Sequence, residues 1–262
     1  MYYNKLDHVT RGASSHMKPR RDVEHDMETR GAPVTDARPA PAPVERTARS
    51  TVRRRAGRGS YDRAVIEAIL DEGLVGHVGI CDADGQPYVI PVIYARSGDQ
   101  ILLHGSPLSR LLTELSSGVR ACFTVTLLDG IVMARSAFHH SVNFRSVVVL
   151  GEARLVTGER EQHEALRAIV EHVVAGRSDD ARGPSAQELA ATEVVAMPLR
   201  EASAKIRTGP PIDAAEDQAL PVWAGVIPLE LHAGAPINDP LCKLAPPAYA
   251  ERYSRHVLTP SP

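Results

Sequence analysis

The hydrophobic pattern divides the chain near residue 60. Residues 1–60 contain a single leucine, Leu6, no isoleucine, phenylalanine or tryptophan, and a Pro/Ala run over 39–43. Such a segment cannot bury enough apolar surface to offset the entropy lost on ordering. We therefore predict a disordered tail over 1–60, a folded domain over 61–232 and a Pro-rich extension over 233–262.

Within the predicted domain, apolar residues recur at helical spacing in some segments and at a period of two in others. The predicted helices are residues 62–72, 107–117, 159–174 and 184–191. The predicted strands are residues 76–81, 87–94, 101–104, 120–127, 131–135, 145–155, 194–199 and a stretch within 222–231. Asp82 to Gly85 and the pair Asp129-Gly130 have the composition of hairpin turns. Many short strands with a few inserted helices and no βαβ alternation predict an antiparallel barrel of the α+β class.

Composition then narrows the class of protein. No apolar run reaches the roughly 18 residues of a membrane helix, and no apolar h-region follows the N-terminus, so we expect a cytoplasmic protein with no membrane partner. Three cysteines without CxxC spacing indicate neither a disulfide framework nor a zinc knuckle. His139 and His140 are adjacent and have no third ligand at a characteristic spacing, so we expect no metal site. Met17 and Met27 leave the true start of the chain open.

Charge is unevenly distributed. Residues 1–60 carry 13 Lys and Arg against 7 Asp and Glu, including Arg53-Arg54-Arg55 and Arg58. This cluster could contact nucleic acid or an acidic partner, but no aromatic residues are interleaved for base stacking. We therefore favour a solvated tail and expect no nucleic-acid partner.

The segment from His104 to Arg110 carries the clearest chemical signal. Ser106 as N-cap and Pro107 as first helical residue are a favoured pair at a helix start. The free backbone N–H groups there, the hydroxyls of Ser106 and Ser109 and the guanidinium of Arg110 would suit a phosphate. The alternative is an ordinary cap followed by a surface arginine.

Several motifs in one order resemble a known family. They are His77-Val78-Gly79, the run 87–91 (PYVIP), Leu103-His104-Gly105-Ser106, Ser109-Arg110, the run 138–148 (FHHSVNFRSVV) and the run 221–226 (PVWAGV). This order resembles the flavin-nucleotide-binding proteins related to pyridoxamine 5'-phosphate oxidase, in the branch that includes nitroimidazole-resistance proteins. The resemblance covers about 61–231. It implies an FMN-binding split β-barrel that forms a homodimer, with FMN at the subunit interface and a small-molecule substrate.

The resemblance also implies roles for residues near β-strand ends. Ser109 and Arg110 match the residues that grip the FMN phosphate. Pro91, Val92 and Ile93 fall on the strand whose backbone lies along the isoalloxazine ring. His104 matches a position lining the pocket beside the flavin and is the candidate proton donor, although a lone strand histidine is often structural.

Further cofactor-binding candidates lie later in the chain. Asn143, Arg145 and Ser146 match the family's Asn-Tyr-Arg-Ser segment, with Phe144 in place of the tyrosine. Arg145 could supply a second cation to the phosphate, from either subunit, or be a surface arginine that opens a strand. Trp223 would lie near the flavin, or pack in a core or interface.

Lys205 and Arg207 form one more candidate pair, because they alternate along a possible strand. Lys205 and Arg207 could reach the mouth of the pocket, or belong to a solvated face.

The function expected from these residues is FMN-dependent, nitroreductase-like oxidoreduction of a small molecule. Two alternatives stay open: a module that binds or senses flavin or haem without turnover, and a deazaflavin-dependent reductase on the same fold. No Gly-x-Gly-x-x-Gly is present, so a pyridine nucleotide would bind without a Rossmann domain.

Overall fold

The structure is a computed structural model of the chain and describes residues 44–254. Its helices are α1 (Arg63–Glu72), α2 (Arg110–Ser116), α3 (Glu159–Val173), α4 (Arg177–Asp180), α5 (Ala186–Ala190) and α6 (Ala248–Glu251). Its strands are β1 (Gly59–Ser60), β2 (Val75–Cys81), β3 (Pro87–Ser97), β4 (Gln100–Gly105), β5 (Arg120–Met133), β6 (Ser141–Glu152), β7 (Arg154–Leu155), β8 (Glu193–Pro198), β9 (Glu201–Arg207) and β10 (Gly225–Pro228). The predictions of a disordered tail over residues 1–43, of the true start of the chain and of the last part of the Pro-rich extension, residues 255–262, concern residues outside the described range.

The strands form one antiparallel sheet of ten strands. Nine of them follow the order β1-β9-β6-β5-β2-β3-β4-β8-β7, and β10 pairs with the far part of β5. The two ends of this path, β1 and β7, do not pair with each other within the described chain. The predicted class, an α+β fold built as a split antiparallel barrel, is confirmed.

Two apolar layers hold the sheet in place. The main core lies inside the barrel and includes residues of α1 and α2, such as Ile66, Ile69 and Leu115, which are fully buried. A second cluster joins the outer face of β3, β4 and β8 to α3 through Ala95, Leu102 and Ile169. α1 begins as the sequence predicts, because the Asp62 carboxylate accepts a hydrogen bond from the Ala64 N–H at 2.8 Å.

The start of α2 differs from the prediction. Ser109 is the N-cap, and its Oγ accepts from the Leu112 N–H at 3.2 Å. Ser106 and Pro107 belong to a preceding turn, in which the Ser109 N–H donates to the Ser106 carbonyl at 2.9 Å. The predicted N-cap at Ser106 is wrong because both serines satisfy the capping rule, and only the one next to the buried Leu111 and Leu112 begins the helix.

β5 is a single strand rather than two strands joined by a hairpin. Its pairing with β6 continues past Asp129-Gly130 with a shift in register, which is a β-bulge. Asp129 is held there by an ion pair with Arg145, and the Leu229 N–H donates to its carbonyl at 3.1 Å. A local Asp-Gly signal therefore marks an irregularity in a long strand here, not a reversal of the chain.

Residues 44–60 contact β9 and, through Val44, the main core, although the sequence predicts disorder up to residue 60. β1 pairs with β9. The side chains of Thr47 and Arg49 donate hydrogen bonds to the carboxylate of Glu201, and Arg49 Nε lies 3.2 Å from Glu201 Oε1. Glu201 is buried, so these polar partners compensate its charge. Hydropathy alone could not predict this docking because polar contacts provide most of it.

No helix among residues 44–254 has both the length and the apolar character needed to cross a bilayer.

Candidate functional site

One edge of β3 is open over most of its length. β2 pairs with β3 from Pro87 to Ile93, whereas β4 pairs with β3 only from Tyr94 to Ser97. Along 87–93 the other edge has no partner strand among the described residues, so its backbone N–H and C=O groups are available to a ligand. The outward side chains of Val89 and Ile93 are also accessible, and Val89 is 69% exposed.

Arg110 contacts β3 through the side chain of Tyr88. Its guanidinium carbon is 4.5 Å from the centre of the Tyr88 ring, and Tyr88 belongs to β3. The positive charge of an arginine is attracted to the face of an aromatic ring, which orients the guanidinium without neutralising its charge. Arg110 forms no ion pair within the described part of the chain, so this charge is available to an anion.

Tyr88 connects the helix and the strand that carry two groups of predicted residues. Ser109 and Arg110 begin α2, and Pro91, Val92 and Ile93 lie on the strand whose Tyr88 supports Arg110. Tyr88 is not among the predicted site residues, although it lies within the run 87–91 (PYVIP) that carries the family resemblance. Its ring also lines a cavity of about 750 Å³ bordered by β2, β3, β5 and β6.

His104 and Ser106 are on the adjoining strand and turn. Ser106 is exposed, and its Oγ accepts from the Leu108 N–H at 3.2 Å. His104 follows Leu103, the partner of Tyr94, and its side chain lines a cavity of about 510 Å³ between β4, α3 and the loop before α5. Partial desolvation by these walls lowers the pKa of His104 below its usual value.

Asn143 and Ser146 make their contacts with β9 and the loop after it. The Asn143 side-chain oxygen accepts from Arg207, and its amide donates to the Gly209 carbonyl at 3.2 Å. The Ser146 hydroxyl donates to the Lys205 carbonyl at 3.3 Å. β6 and β9 are separated from β3 by β5 and β2, so these two residues are not at the open edge within this chain.

Arg145 is an internal ion-pair centre in this chain. Its guanidinium lies 2.5 Å from a Glu72 oxygen and 2.8 Å from an Asp129 oxygen, and the side chain is buried. Hydrogen bonds to Glu72 raise the pKa of Arg145, and those to Asp129 add to the effect. The predicted role as a second cation for the phosphate gains no support from this arrangement, because two carboxylates already neutralise the charge.

Trp223 is exposed just before β10. Its ring lies over Gly225, where a Cβ would be only 2.8 Å from the indole Cζ2. β10 pairs with β5, so Trp223 is not beside the open edge of β3 in the same chain.

The described residues contain no group of three or more His, Cys, Asp or Glu side chains placed to hold a metal ion. His139 and His140 instead bond Ser136, through its hydroxyl and its carbonyl respectively.

The fold and the open edge define an α+β split β-barrel with an accessible strand and an arginine that stacks on that strand's Tyr88 and has no ion pair among residues 44–254. Comparison with known proteins agrees with this class. The family profile described as pyridoxamine 5'-phosphate oxidase matches residues 62–206. This chain therefore belongs to the pyridoxamine 5'-phosphate oxidase family.

Similar solved structures include two with substantial sequence identity. The flavocytochrome Anf3 from Azotobacter vinelandii is 40% identical with a TM-score of 0.74, and the match covers 79% of this chain and 97% of that one. The FAD and heme binding protein from Mycobacterium smegmatis is 33% identical with a TM-score of 0.70, covering 73% and 95%. A 5-nitroimidazole antibiotic resistance protein from Bacteroides thetaiotaomicron is 24% identical with a TM-score of 0.49, covering 56% and 86%. The search of curated proteins found no match.

Proposed function

We propose that this protein binds a flavin along the open edge of β3, with the flavin phosphate at Ser109 and Arg110. The observation that carries the proposal is the open edge of β3 along residues 87–93, on the same strand as Tyr88, which orients an arginine that has no described carboxylate partner. Family membership and the flavin-binding relatives support it. The sequence favours FMN, whereas the Mycobacterium smegmatis relative is named for FAD.

A bound flavin would supply two-electron chemistry, and the protein would bind and orient it. Arg110 would neutralise phosphate charge, and the backbone of Pro91 to Ile93 would position the polar edge of the ring. The neutral His104 imidazole would be a hydrogen-bond donor or acceptor for a small substrate. The proposed activity is oxidoreduction of a small molecule by a homodimer whose interface includes the exposed apolar face of β2 and β3.

Flavin titration tests the proposal directly. Cofactor-depleted full-length protein is titrated with FMN and with FAD, and flavin fluorescence is followed. Val89→Glu replaces an exposed apolar side chain on the open stretch of β3 by a carboxylate, so we expect flavin affinity to fall at least tenfold because an apolar ring and an anionic cofactor are both disfavoured beside a negative charge. Ile237→Glu, at a fully exposed position, is the matched control and should bind like the wild type.

Wild-type protein that binds neither flavin would contradict the proposal, as would a Val89→Glu variant that binds like the control. Light scattering on the same samples should give twice the 28.3 kDa chain mass. Reduction of a nitroaromatic or quinone by the flavin-loaded protein with NAD(P)H would favour an enzyme over a flavin carrier.

A second candidate function is haem binding together with the flavin. The cavity beside His104 has apolar walls formed by Leu166, Ile169 and Val170, and His163 also lines it. Its volume is within the range of cofactor sites. A low pKa keeps the His104 imidazole neutral, as an iron ligand must be. Of the relatives described above, the one at 40% identity is a flavocytochrome and the one at 33% identity is named for FAD and heme binding.

Haem titration distinguishes this candidate. A Soret band that forms in the wild type and is lost in His104→Ala, with flavin affinity retained, is the expected result. A Soret band that is unchanged in His104→Ala would exclude His104 as the ligand.

A further inference from the structure

A third cavity, of about 520 Å³, is lined almost entirely by basic and aromatic side chains. It lies where the segment 54–58, the start of β6 and the end of β9 meet. Its basic lining residues are Arg54, Arg55, Arg58, His139, His140, Lys205 and Arg207. No Asp or Glu is among the described residues that line it, so its positive charge is not neutralised locally.

Arg207 is the most buried of the arginine and lysine side chains in this lining. It is 5% exposed, and its described hydrogen-bond partners are neutral: the side-chain oxygen of Asn143 and the carbonyls of Gly209 and Pro210. Burial lowers the pKa of Arg207, and the neighbouring charge of Arg58 lowers it further. A buried cation facing a second cation is costly unless an anion joins them.

Lys205 and the 54–58 segment complete the cation cluster. Lys205 pairs with Gly59 across β1 and β9, which fixes the arginine segment beside it. None of Arg54, Arg55, Arg58 and Lys205 forms an ion pair with another described residue. Arg55 has φ of 57°, the left-handed region that a non-glycine residue rarely occupies.

Apolar walls accompany the charges. Phe138, Phe144 and Ile212 line the same cavity, and Phe138 is 90% exposed. An exposed aromatic ring beside clustered cations is the combination that binds a planar base joined to phosphate, because the ring stacks while the cations neutralise charge. The volume suits one small molecule rather than a polymer.

The cavity is separate from the site at Arg110. β9 and β3 are separated in the sheet by β6, β5 and β2, a path of roughly 19 Å at the usual strand spacing. A single phosphate at Arg110 therefore cannot also neutralise Lys205 and Arg207 of the same chain.

We propose that this cavity binds the adenosine diphosphate moiety of a nucleotide, with the phosphates on Arg58, Lys205 and Arg207 and the adenine against Phe138. Two sources carry that moiety: a bound FAD, and a pyridine dinucleotide that donates electrons. The proposal rests on the cavity alone and holds whether or not the chain binds a flavin at β3.

The test is a calorimetric titration of ADP into full-length protein loaded with FMN, which has no adenosine moiety. If the chain holds no flavin, the same titration is made on the protein as purified, so failure of the flavin proposal does not obscure this one. Arg58→Gln and Lys205→Gln should each weaken ADP binding at least tenfold, since each removes a charge-assisted contact. Arg53→Gln is the matched control, because Arg53 is exposed in the same segment and does not line the cavity.

A melting curve verifies folding, and Arg58→Gln should melt at the same or a higher temperature because a repulsion with Arg207 is removed. Wild-type protein that binds no ADP, or variants that bind ADP as Arg53→Gln does, would overturn the proposal. Titrations with FAD and NADPH then identify the source. If Arg58→Gln and Lys205→Gln weaken the binding of FAD but not of FMN, the cavity holds the adenosine diphosphate moiety of the FAD cofactor. If they weaken the binding of NADPH but not of FAD, it holds that of the electron donor.

Discussion

Arg110 is the residue on which the proposed flavin phosphate site depends most. Arg110→Ala removes a cation that stacks on Tyr88 and has no described ion-pair partner, so flavin affinity should fall by about 1.5–3 kcal/mol. Flavin fluorescence titration measures it. Arg160→Ala, at an exposed position on α3, is the control. Equal flavin affinity in both variants would remove Arg110 from the site.

Arg145 should behave as a structural residue. Arg145→Met removes the buried cation that bonds the carboxylates of Glu72 and Asp129, so the free energy of unfolding should fall by about 3–5 kcal/mol. Urea denaturation measures this loss. Flavin affinity of the folded variant should stay within twofold of the wild type, and a loss like that of Arg110→Ala would instead assign Arg145 to the phosphate.

His104 should titrate below its ordinary pKa of 6.5 in protein without cofactor, because desolvation favours the neutral ring. The unfolded chain then binds a proton that the folded chain does not. Stability therefore falls as pH decreases from about 6.5 toward the folded pKa, and His104→Gln should reduce that dependence. Imidazole NMR shifts followed against pH measure the titration, and a midpoint at or above 6.5 would contradict it.

For single residues, the sequence predicts which side chains have suitable chemistry better than it predicts which residues they contact. Ser109 and Arg110 could be selected because a serine and an arginine at a helix start suit a phosphate whatever lies around them. The partners of Arg145 could not, since Glu72 and Asp129 are distant in sequence and meet it only in the folded barrel.

The position of β2 depends on a close approach between the backbone of Gly76 and the ring of Phe123. A Cβ there would be 2.3 Å from the Phe123 ring, which is fully buried and cannot move aside. Gly76→Ala should lower the free energy of unfolding by about 1–3 kcal/mol. Urea denaturation measures it, with Gly57→Ala as control, since nothing lies within 4 Å of a Cβ at Gly57. Equal stability of the two variants would show that the barrel interior is looser at this point.

The bounds of a helix or strand can be predicted from the sequence where its apolar spacing and its flanking cap and turn residues indicate the same element. α1, the hairpin of β2 and β3, and α3 are close to their predicted bounds because helical or alternating apolar residues agree with the caps and turns. β5 is different, since its continuation past Asp129 depends on pairing with both β6 and β10. The open edge of β3 was not predictable either, because it depends on where β4 diverges.

For the whole molecule, the split-barrel class could be predicted from the succession of short strands, and family membership from the order of motifs. The packing of residues 44–60 on β9 could not. That segment is polar, and its contacts through Thr47, Arg49 and β1 use hydrogen bonds that no hydropathy pattern signals. Three of its arginines, Arg54, Arg55 and Arg58, which the sequence assigns to a solvated tail, instead line the basic cavity.

The central claim is that the chain binds a flavin. The most direct measurement is an absorption spectrum of purified full-length protein from 300 to 700 nm, with chromatography of the small molecule released on denaturation. We expect flavin bands and released FMN or FAD, and an added Soret band if haem is bound too. A colourless protein that also fails to bind added FMN or FAD would contradict the claim and leave only the fold.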